Sequence, residues 1–226
     1  MREWNELPKQ MQVEEVREYY DILMEHQTSL RAKRMFDIVV SAAMLVLISP
    51  ILLIIGAMIK ADSQGPVFFR QVRVTTYGKK FRIYKFRTMV QNAESLGTQV
   101  TTNQDARVTK MGKLLRGCRL DELPQLINIL KGEMTFVGTR PEVPKYVAAY
   151  SKEMLATLLL PAGVTSRASI EYKDEEKLLS DAEDADEVYI NEVLPQKMEY
   201  NLDAIRKFSF FDDIKTMFAT VAAVIK

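Results

Sequence analysis

Cysteine and histidine are nearly missing from this 226-residue chain, each occurring once, as Cys118 and His26. One cysteine excludes an intrachain disulfide and a cysteine-based zinc site, and it fits a reducing compartment. The one histidine lies in a polar helical stretch near the N-terminus, reads as a surface residue, and leaves no Ser-His-Asp triad to assemble. Acid–base work therefore falls to carboxylates. Neither a GxxxxGK(S/T) nor a GxGxxG phosphate loop occurs anywhere, which removes the common nucleotide cradles. Internal repeats and low-complexity tracts are also absent, so a solenoid is excluded.

The residues that are there describe a folded chain. Hydrophobic residues make up 47% and charged residues 27%, which fits neither a disordered tail nor a polytopic membrane protein. The length suits one domain with a real core or two small ones. A net charge of only +1 hides an uneven distribution. Residues 31–90 carry eleven Lys and Arg against Asp37 and Asp62, a local +9, whereas residues 171–192 carry ten acids against two lysines, a local −8. A basic first half suggests an anionic partner such as phosphates or lipid headgroups.

One apolar run belongs in lipid: "FDIVVSAAMLVLISPILLIIGAMI", residues 36–59. As a helix it would extend roughly 36 Å at about 1.5 Å per residue, enough to cross a hydrocarbon core. The mostly polar residues before it argue against a signal peptide. Ser49-Pro50 sits near its middle, and proline removes a donor and collides with the carbonyl of Val46, so the helix must bend. Both a kinked span and a re-entrant hairpin fit. Cations flank both ends (Arg31, Lys33 and Arg34 before, Lys60, Arg70 and Arg73 after), whereas an ordinary span would show the excess on one side.

Residues 1–32 read as an extension with an amphipathic helix, on which Val13, Val16, Tyr20 and Leu23 share a face. Residues 66–89 are β-branched and aromatic, broken at Tyr77-Gly78, and predict a β-hairpin. Its seven cations alternate with aromatics; that pattern serves single-stranded nucleic acid in some proteins, but beside an apolar segment it favours lipid headgroups and phosphate. Residues 91–113 predict a long polar loop. The stretch "EYKDEEKLLSDAEDADEVY" predicts a solvated helical surface. At the C-terminus Phe211, Ile214, Met217, Phe218, Val221 and Ile225 form one stripe, which suits a core-packed helix before an interfacial one.

Between these lies "CRLDELPQLINILKGEM", residues 118–134, with adjacent acids ahead of an apolar helix. As local structure, Asp121 is an N-cap, Glu122 fills the first turn and Gly132 closes the helix. The surroundings point to chemistry. Arg116 and Arg119 precede the acids, and Arg140 follows on a turn stiffened by Pro141. Carboxylates hold Mg²⁺ together with substrate phosphates, arginines bind phosphoryl oxygens bidentately, and an aspartate can attack phosphorus.

The segments "KRMFDIVVSAAMLVLISPILLIIG", "GPVFFRQVRV…GKKFRIYKFRTM", "DARVTKMGKLLRGCRLDELPQLINILKGEMTFVGTRPEVPKYV" and "PAGVTSRASIEY" together resemble the bacterial sugar transferases known as small monotopic phosphoglycosyl transferases. The resemblance runs from about Lys33 to the C-terminus. It implies a mostly helical α+β fold, with a re-entrant helix-break-helix at Ser49 and Pro50 over residues 33–60. A compact cytoplasmic catalytic domain, 61–226, would carry the β-hairpin and interfacial amphipathic helices, and 1–32 would be a helical extension. The implied reaction moves a sugar 1-phosphate from a UDP-sugar to polyprenyl phosphate, usually undecaprenyl phosphate, with release of UMP and a need for Mg²⁺. Asp121 would be the nucleophile, Glu122 would help place the metal or receive the acceptor's proton, and both carboxylates would be metal ligands. Arg116 and Arg140 would bind phosphate, supported by Lys85 and Arg87. The implied place is the bacterial inner membrane, cytoplasmic face. The partners would be the UDP-sugar, polyprenyl phosphate and membrane lipids, with a homodimer as an option and no nucleic acid. Thr139, Thr75-Thr76 and Ala162 depart from the family pattern. A membrane-anchored scaffold without activity is the alternative reading.

Overall fold

The computed structural model describes residues 1–93, 106–172 and 184–225. The predicted polar loop and acidic stretch therefore lie partly outside the described residues, at 94–105 and 173–183. The described chain is mostly helical, with two small sheets.

Near the N-terminus α1 (Glu14–Glu25) buries Val16, Tyr19, Tyr20 and Leu23, the spacing of one helical face. With Leu7 and Met11 they pack against Leu158, Leu159, Leu202 and Ile205. The first residues are thus built into a core.

The apolar run lies within α2 (Gln27–Asp62), one helix of 36 residues with Pro50 inside it. The expected break at Ser49-Pro50 takes the form of a proline within a single helix rather than a gap between two. The Val46 carbonyl, which Pro50 has no N–H to serve, accepts from Ser49 Oγ at 2.8 Å. No orphaned carbonyl forces the helix to end. Its centre is bare, with Val46, Leu47 and Leu53 more than 70% exposed (76%, 79% and 75%). Both halves nonetheless pack on the same body. Val40, Met44 and Ile48 lie on a cluster with Leu126, Ile129 and Phe136, while Ile55 and Ile59 are buried with Phe86 and Leu115.

The predicted hairpin forms from β1 (Phe68–Val74) and β2 (Lys80–Phe86), antiparallel, with Phe69 opposite Lys85 and Arg73 opposite Phe81. Its turn contains Tyr77 at φ 58° and Gly78 at φ 73°. A second, parallel pair joins β3 (Met134–Val137) to β4 (Ala162–Thr165). That crossing is close enough that a Cβ on Gly163 would lie 2.2 Å from the Gly138 backbone, so only glycine fits there.

The remaining helices are α3 (Lys110–Gly117), α4 (Gln125–Lys131), α5 (Pro144–Val147), α6 (Arg167–Glu171), α7 (Ala185–Val188), α8 (Leu194–Arg206) and α9 (Phe210–Ile225). Two expectations are corrected here. The C-terminal stripe enters the core only in part: Met217 packs on it, whereas Phe211 and Phe218 are each 73% exposed, because α9 meets the body along the edge that carries Met217 and Thr220. The described end of the acidic stretch is not wholly solvated either, since Tyr189 is buried at 3% exposure.

Candidate active site

The two acids do not cap α4. Leu120–Glu122 make a single 3₁₀ turn, entered through Arg119 in the left-handed region at φ 52°. α4 begins only at Gln125, with Pro124 at its N-cap and no side-chain cap. Backbone carbonyls of Leu123 and Pro124 take the amides of Leu126 and Ile127, so the helix start does not need the carboxylates. Both are released for other contacts. Gly132 does end α4 as expected, at φ 81°.

Glu122 is held by two cations. Lys85 Nζ donates to its Oε1 at 2.8 Å, and Arg140 donates to Oε1 at 2.5 Å and to Oε2 at 3.5 Å. Burial alone would raise its pKa; Arg140 and Lys85 outweigh that and hold the carboxyl well below the usual carboxylate range. Lys85 is itself pulled down by burial, against the charge of Glu122.

Asp121 differs. It has no hydrogen bond or ion pair to a described residue, and burial raises its pKa with a contribution from Glu122, against Lys85, Arg116 and Arg140. Two neighbouring carboxylates thus diverge: one is firmly ionised and clamped, the other more basic and unclamped. Raised basicity makes a carboxylate a better nucleophile.

Arg116 reaches the same place from α3. Its Nε donates to Thr88 Oγ1 at 3.0 Å. The approach depends on Gly112, whose Cβ, if present, would sit 2.0 Å from the Thr88 carbonyl. Lys85, Arg116, Asp121 and Arg140 all line a cavity of about 700 Å³. Arg87 lines it too, but its guanidinium donates to the carbonyls of Pro66 (2.5 Å), Ser63 (2.7 Å) and Ile59 (3.4 Å) at the end of α2. Only its buried Nε lacks a partner. Arg119 stands apart, exposed, on a second and smaller cavity.

The clamp is set from behind. Asn128 of α4 is fully buried; its Oδ1 accepts from Tyr84 N at 2.8 Å, and its Nδ2 donates to the Arg82 carbonyl at 3.1 Å and to Glu133 at 2.7 Å. It ties β2, and so Lys85, to the helix that follows Glu122. Arg140 is aimed through β3, onto which α2 is pinned. Asp37 accepts from Thr135 Oγ1 at 2.7 Å and from Phe136 N at 3.2 Å, and Lys33 donates to the Val137 carbonyl at 2.8 Å. The departures sit nearby: Thr75 Oγ1 bridges the Glu133 carbonyl and Ala162 N, and the Thr139 carbonyl accepts from Gly163 N.

A second polar group on the same cavity escaped the sequence reading. Tyr189 donates to Glu142 Oε1 at 2.6 Å, Lys197 donates to Tyr189 Oη at 3.0 Å, and Arg73 donates to the Pro141 carbonyl at 3.0 Å. Glu142 follows directly on Arg140-Pro141, which was a usable signal. Tyr189 and Lys197 had none, since the carboxylate they gather on, Glu142, lies 47 residues before Tyr189 in sequence. Tyr189 opens a π-helical turn, Tyr189–Val193, a form that recurs at functional sites.

Among the described residues no three His, Cys, Asp or Glu gather as a metal cage. Mg²⁺ does not need one: it takes one or two carboxylates plus substrate phosphates. The unclamped Asp121 and the lightly engaged Glu122 Oε2 fit that donor set.

Comparison with known proteins identifies the chain's relatives. Residues 28–226 match the signature of bacterial sugar transferases. Over 194 residues the chain is 40% identical to the UDP-glucose:undecaprenyl-phosphate glucose-1-phosphate transferase of Klebsiella pneumoniae, covering 84% of this chain and 39% of that protein. It is 36% identical over 196 residues to the UDP-N-acetylgalactosamine-undecaprenyl-phosphate N-acetylgalactosaminephosphotransferase of Aeromonas hydrophila, covering 85% and 43%. With the sugar transferase EpsL of Bacillus subtilis it shares 33% over 195 residues, covering 85% and 87%. The chain thus spans about two fifths of the length of the first two.

Proposed function

Because the chain belongs to the bacterial sugar transferase family, we propose that it moves a sugar 1-phosphate from a UDP-sugar to polyprenyl phosphate, through a covalent intermediate on Asp121. The Asp121 carboxylate attacks the phosphorus that bears the sugar. A carboxylate–phosphorus bond forms, the bond to the bridging oxygen breaks, and UMP leaves with that electron pair. An oxygen of polyprenyl phosphate then attacks the same phosphorus and displaces Asp121, giving polyprenyl-diphosphate-sugar. One site serves both steps, a ping-pong order suited to one aqueous and one membrane-borne substrate.

The observation that carries this reading is the single unclamped carboxylate, Asp121, within the field of Lys85, Arg116 and Arg140. Arg116 and Arg140 neutralise phosphoryl oxygens, and their placement before reaction is where phosphoryl transfer finds most of its rate. Glu122, held ionised, is a poor proton acceptor; its part is to hold Lys85 and Arg140 in position. Mg²⁺, held by Asp121 and Glu122 when bound, would absorb negative charge on the diphosphate and the departing UMP. Arg87 acts on the site by anchoring the end of α2.

A re-entrant α2 goes with this reading. Both of its halves pack on the same body, while Val46, Leu47 and Leu53 near its middle stay exposed, which supports a re-entrant course over a crossing one. The catalytic residues then face the cytoplasm, where the nucleotide sugar is found.

The test is a burst experiment. Full-length protein with Mg²⁺ and candidate UDP-sugars, without lipid, should release UMP in proportion to enzyme, and mass spectrometry should find a phosphosugar adduct on Asp121. Asp121→Asn should abolish both. Normal turnover by that variant refutes the mechanism, and turnover of no UDP-sugar with polyprenyl phosphate refutes the reaction.

A further inference from the structure

Glu122 grips the guanidinium of Arg140, but the chain that carries Arg140 leaves β3 at Val137 and runs through residues 138–143 without helix or strand. Such a segment aims a side chain only as well as its own backbone is fixed. β4 fixes the first part, where Gly163 N donates to the Thr139 carbonyl at 2.8 Å. β1 fixes the next: Arg73 donates to the Pro141 carbonyl at 3.0 Å, and Val74 N donates to the Glu142 carbonyl at 3.0 Å. The third hold runs through a side chain. Glu142 Oε1 accepts from Tyr189 Oη at 2.6 Å, and Lys197 Nζ lies 3.0 Å from that hydroxyl and 3.8 Å from the carboxylate. Glu142, Tyr189 and Lys197 are only 6%, 3% and 5% exposed. An ion pair buried that deeply adds little net stability, because desolvation offsets its attraction; fixing geometry is the better use of it. Charge acts in the same sense, since Arg140 repels Arg73 while Glu142 attracts it.

We propose that Glu142 and Tyr189 are positioning residues for Arg140: the bond between them ties residues 140–142 to the π-helical turn and α8, and so keeps the guanidinium where the phosphoryl oxygens arrive. The assignment rests on the reaction proposed above. Pro141 makes the link stiff, because its fixed φ leaves little slack between Arg140 and Glu142. Lys197 holds the Tyr189 hydroxyl and the carboxylate together from the α8 side. Arg140 is thereby held at both ends, by Glu122 at the guanidinium and by Glu142 through the backbone. Neither Glu142 nor Tyr189 has to touch the donor, although both line its cavity.

The experiment is single-turnover UMP release by the full chain at saturating UDP-sugar, with Mg²⁺ and without lipid, read beside chemical denaturation. Tyr189→Phe keeps the ring on Val143, Tyr146 and Val193 and removes only the hydroxyl. It should slow the burst about tenfold, less than the roughly 100-fold that a 1 Å misplacement can cost. Tyr19→Phe is the matched comparison. Tyr19 is 1% exposed and also donates to a glutamate, Glu153 at 2.5 Å, but in the N-terminal core and off the cavity. It should lose similar stability and keep the wild-type burst rate. In an Arg140→Ala background Tyr189→Phe should change the rate less than about twofold, because no guanidinium is left to misplace. A tenfold slowing that persists without Arg140 overturns the assignment in favour of direct contact with the donor. A Tyr189→Phe burst at the wild-type rate overturns it too, as does equal slowing by Tyr19→Phe. If Arg140→Ala releases no UMP, the comparison of the two tyrosine variants decides. Those results leave the reaction standing, whereas a wild type without a UMP burst for any UDP-sugar removes both.

Discussion

Replacing Glu122 by glutamine keeps the shape of the side chain and removes its charge. Lys85 and Arg140 then share a half-buried space without a counterion; the side chains are 20% and 33% exposed, against 14% for Glu122. Removing one partner of a buried pair costs about 3–5 kcal/mol, and the partial exposure of Arg140 argues for the lower end, about 3 kcal/mol at neutral pH. The carboxyl is held below its ordinary value in the folded protein. Its stabilisation is therefore fully present above the unfolded carboxylate value, about pH 4.3, and is lost as pH falls from there toward the folded value. Chemical denaturation of wild type and Glu122→Gln from pH 7 to pH 3 should show a gap that is constant down to about pH 4.3 and narrows below it. Asp121 should also respond, because the Glu122 charge helps to raise its pKa; the UMP burst of the variant should keep its rate to lower pH, with a smaller maximum. Equal stability at neutral pH, or a gap that persists undiminished at pH 3, would refute the view that Glu122 is an ionised clamp.

Two further outcomes test the supports of the site. Asn128→Ala removes the acceptor of the Tyr84 amide and the shorter of two bonds to the Arg82 carbonyl, which keeps only Arg70 Nη2 at 3.5 Å; it should cost about 2 kcal/mol and slow the UMP burst, with denaturation and rapid-quench kinetics as the readouts, and a variant that loses stability but keeps the full burst rate separates Asn128 from the placement of Lys85. For α2, tags at both termini should be labelled from the cytoplasmic side alone; labelling from opposite sides would establish a crossing helix.

Local rules reached far into this chain. The hairpin was legible from its β-branched and aromatic run with the Tyr77-Gly78 turn, and the end of α4 from Gly132. The same rules misplaced Asp121, because acids ahead of an apolar helix look like a cap; the left-handed Arg119 and the late start at Gln125 turned them to other work. They left the C-terminal stripe open between a core-packed and an interfacial helix, since an apolar face does not record whether protein or lipid covers it. Phe211 and Phe218 face outward.

A membrane-seeking run, a basic first half and a cluster of acids and arginines all follow from composition and order, because hydrophobicity, charge and turn chemistry belong to residues and their near neighbours. Which carboxylate is clamped and which is left to react does not. Asp121 and Glu122 are adjacent and chemically alike, and they are told apart by Lys85 and Arg140, which arrive from β2 and from the turn after β3. Burial and distant charges exist only once those strands are packed. The same holds for Glu142, Tyr189 and Lys197, whose meeting depends on elements that the chain brings together across long stretches of sequence.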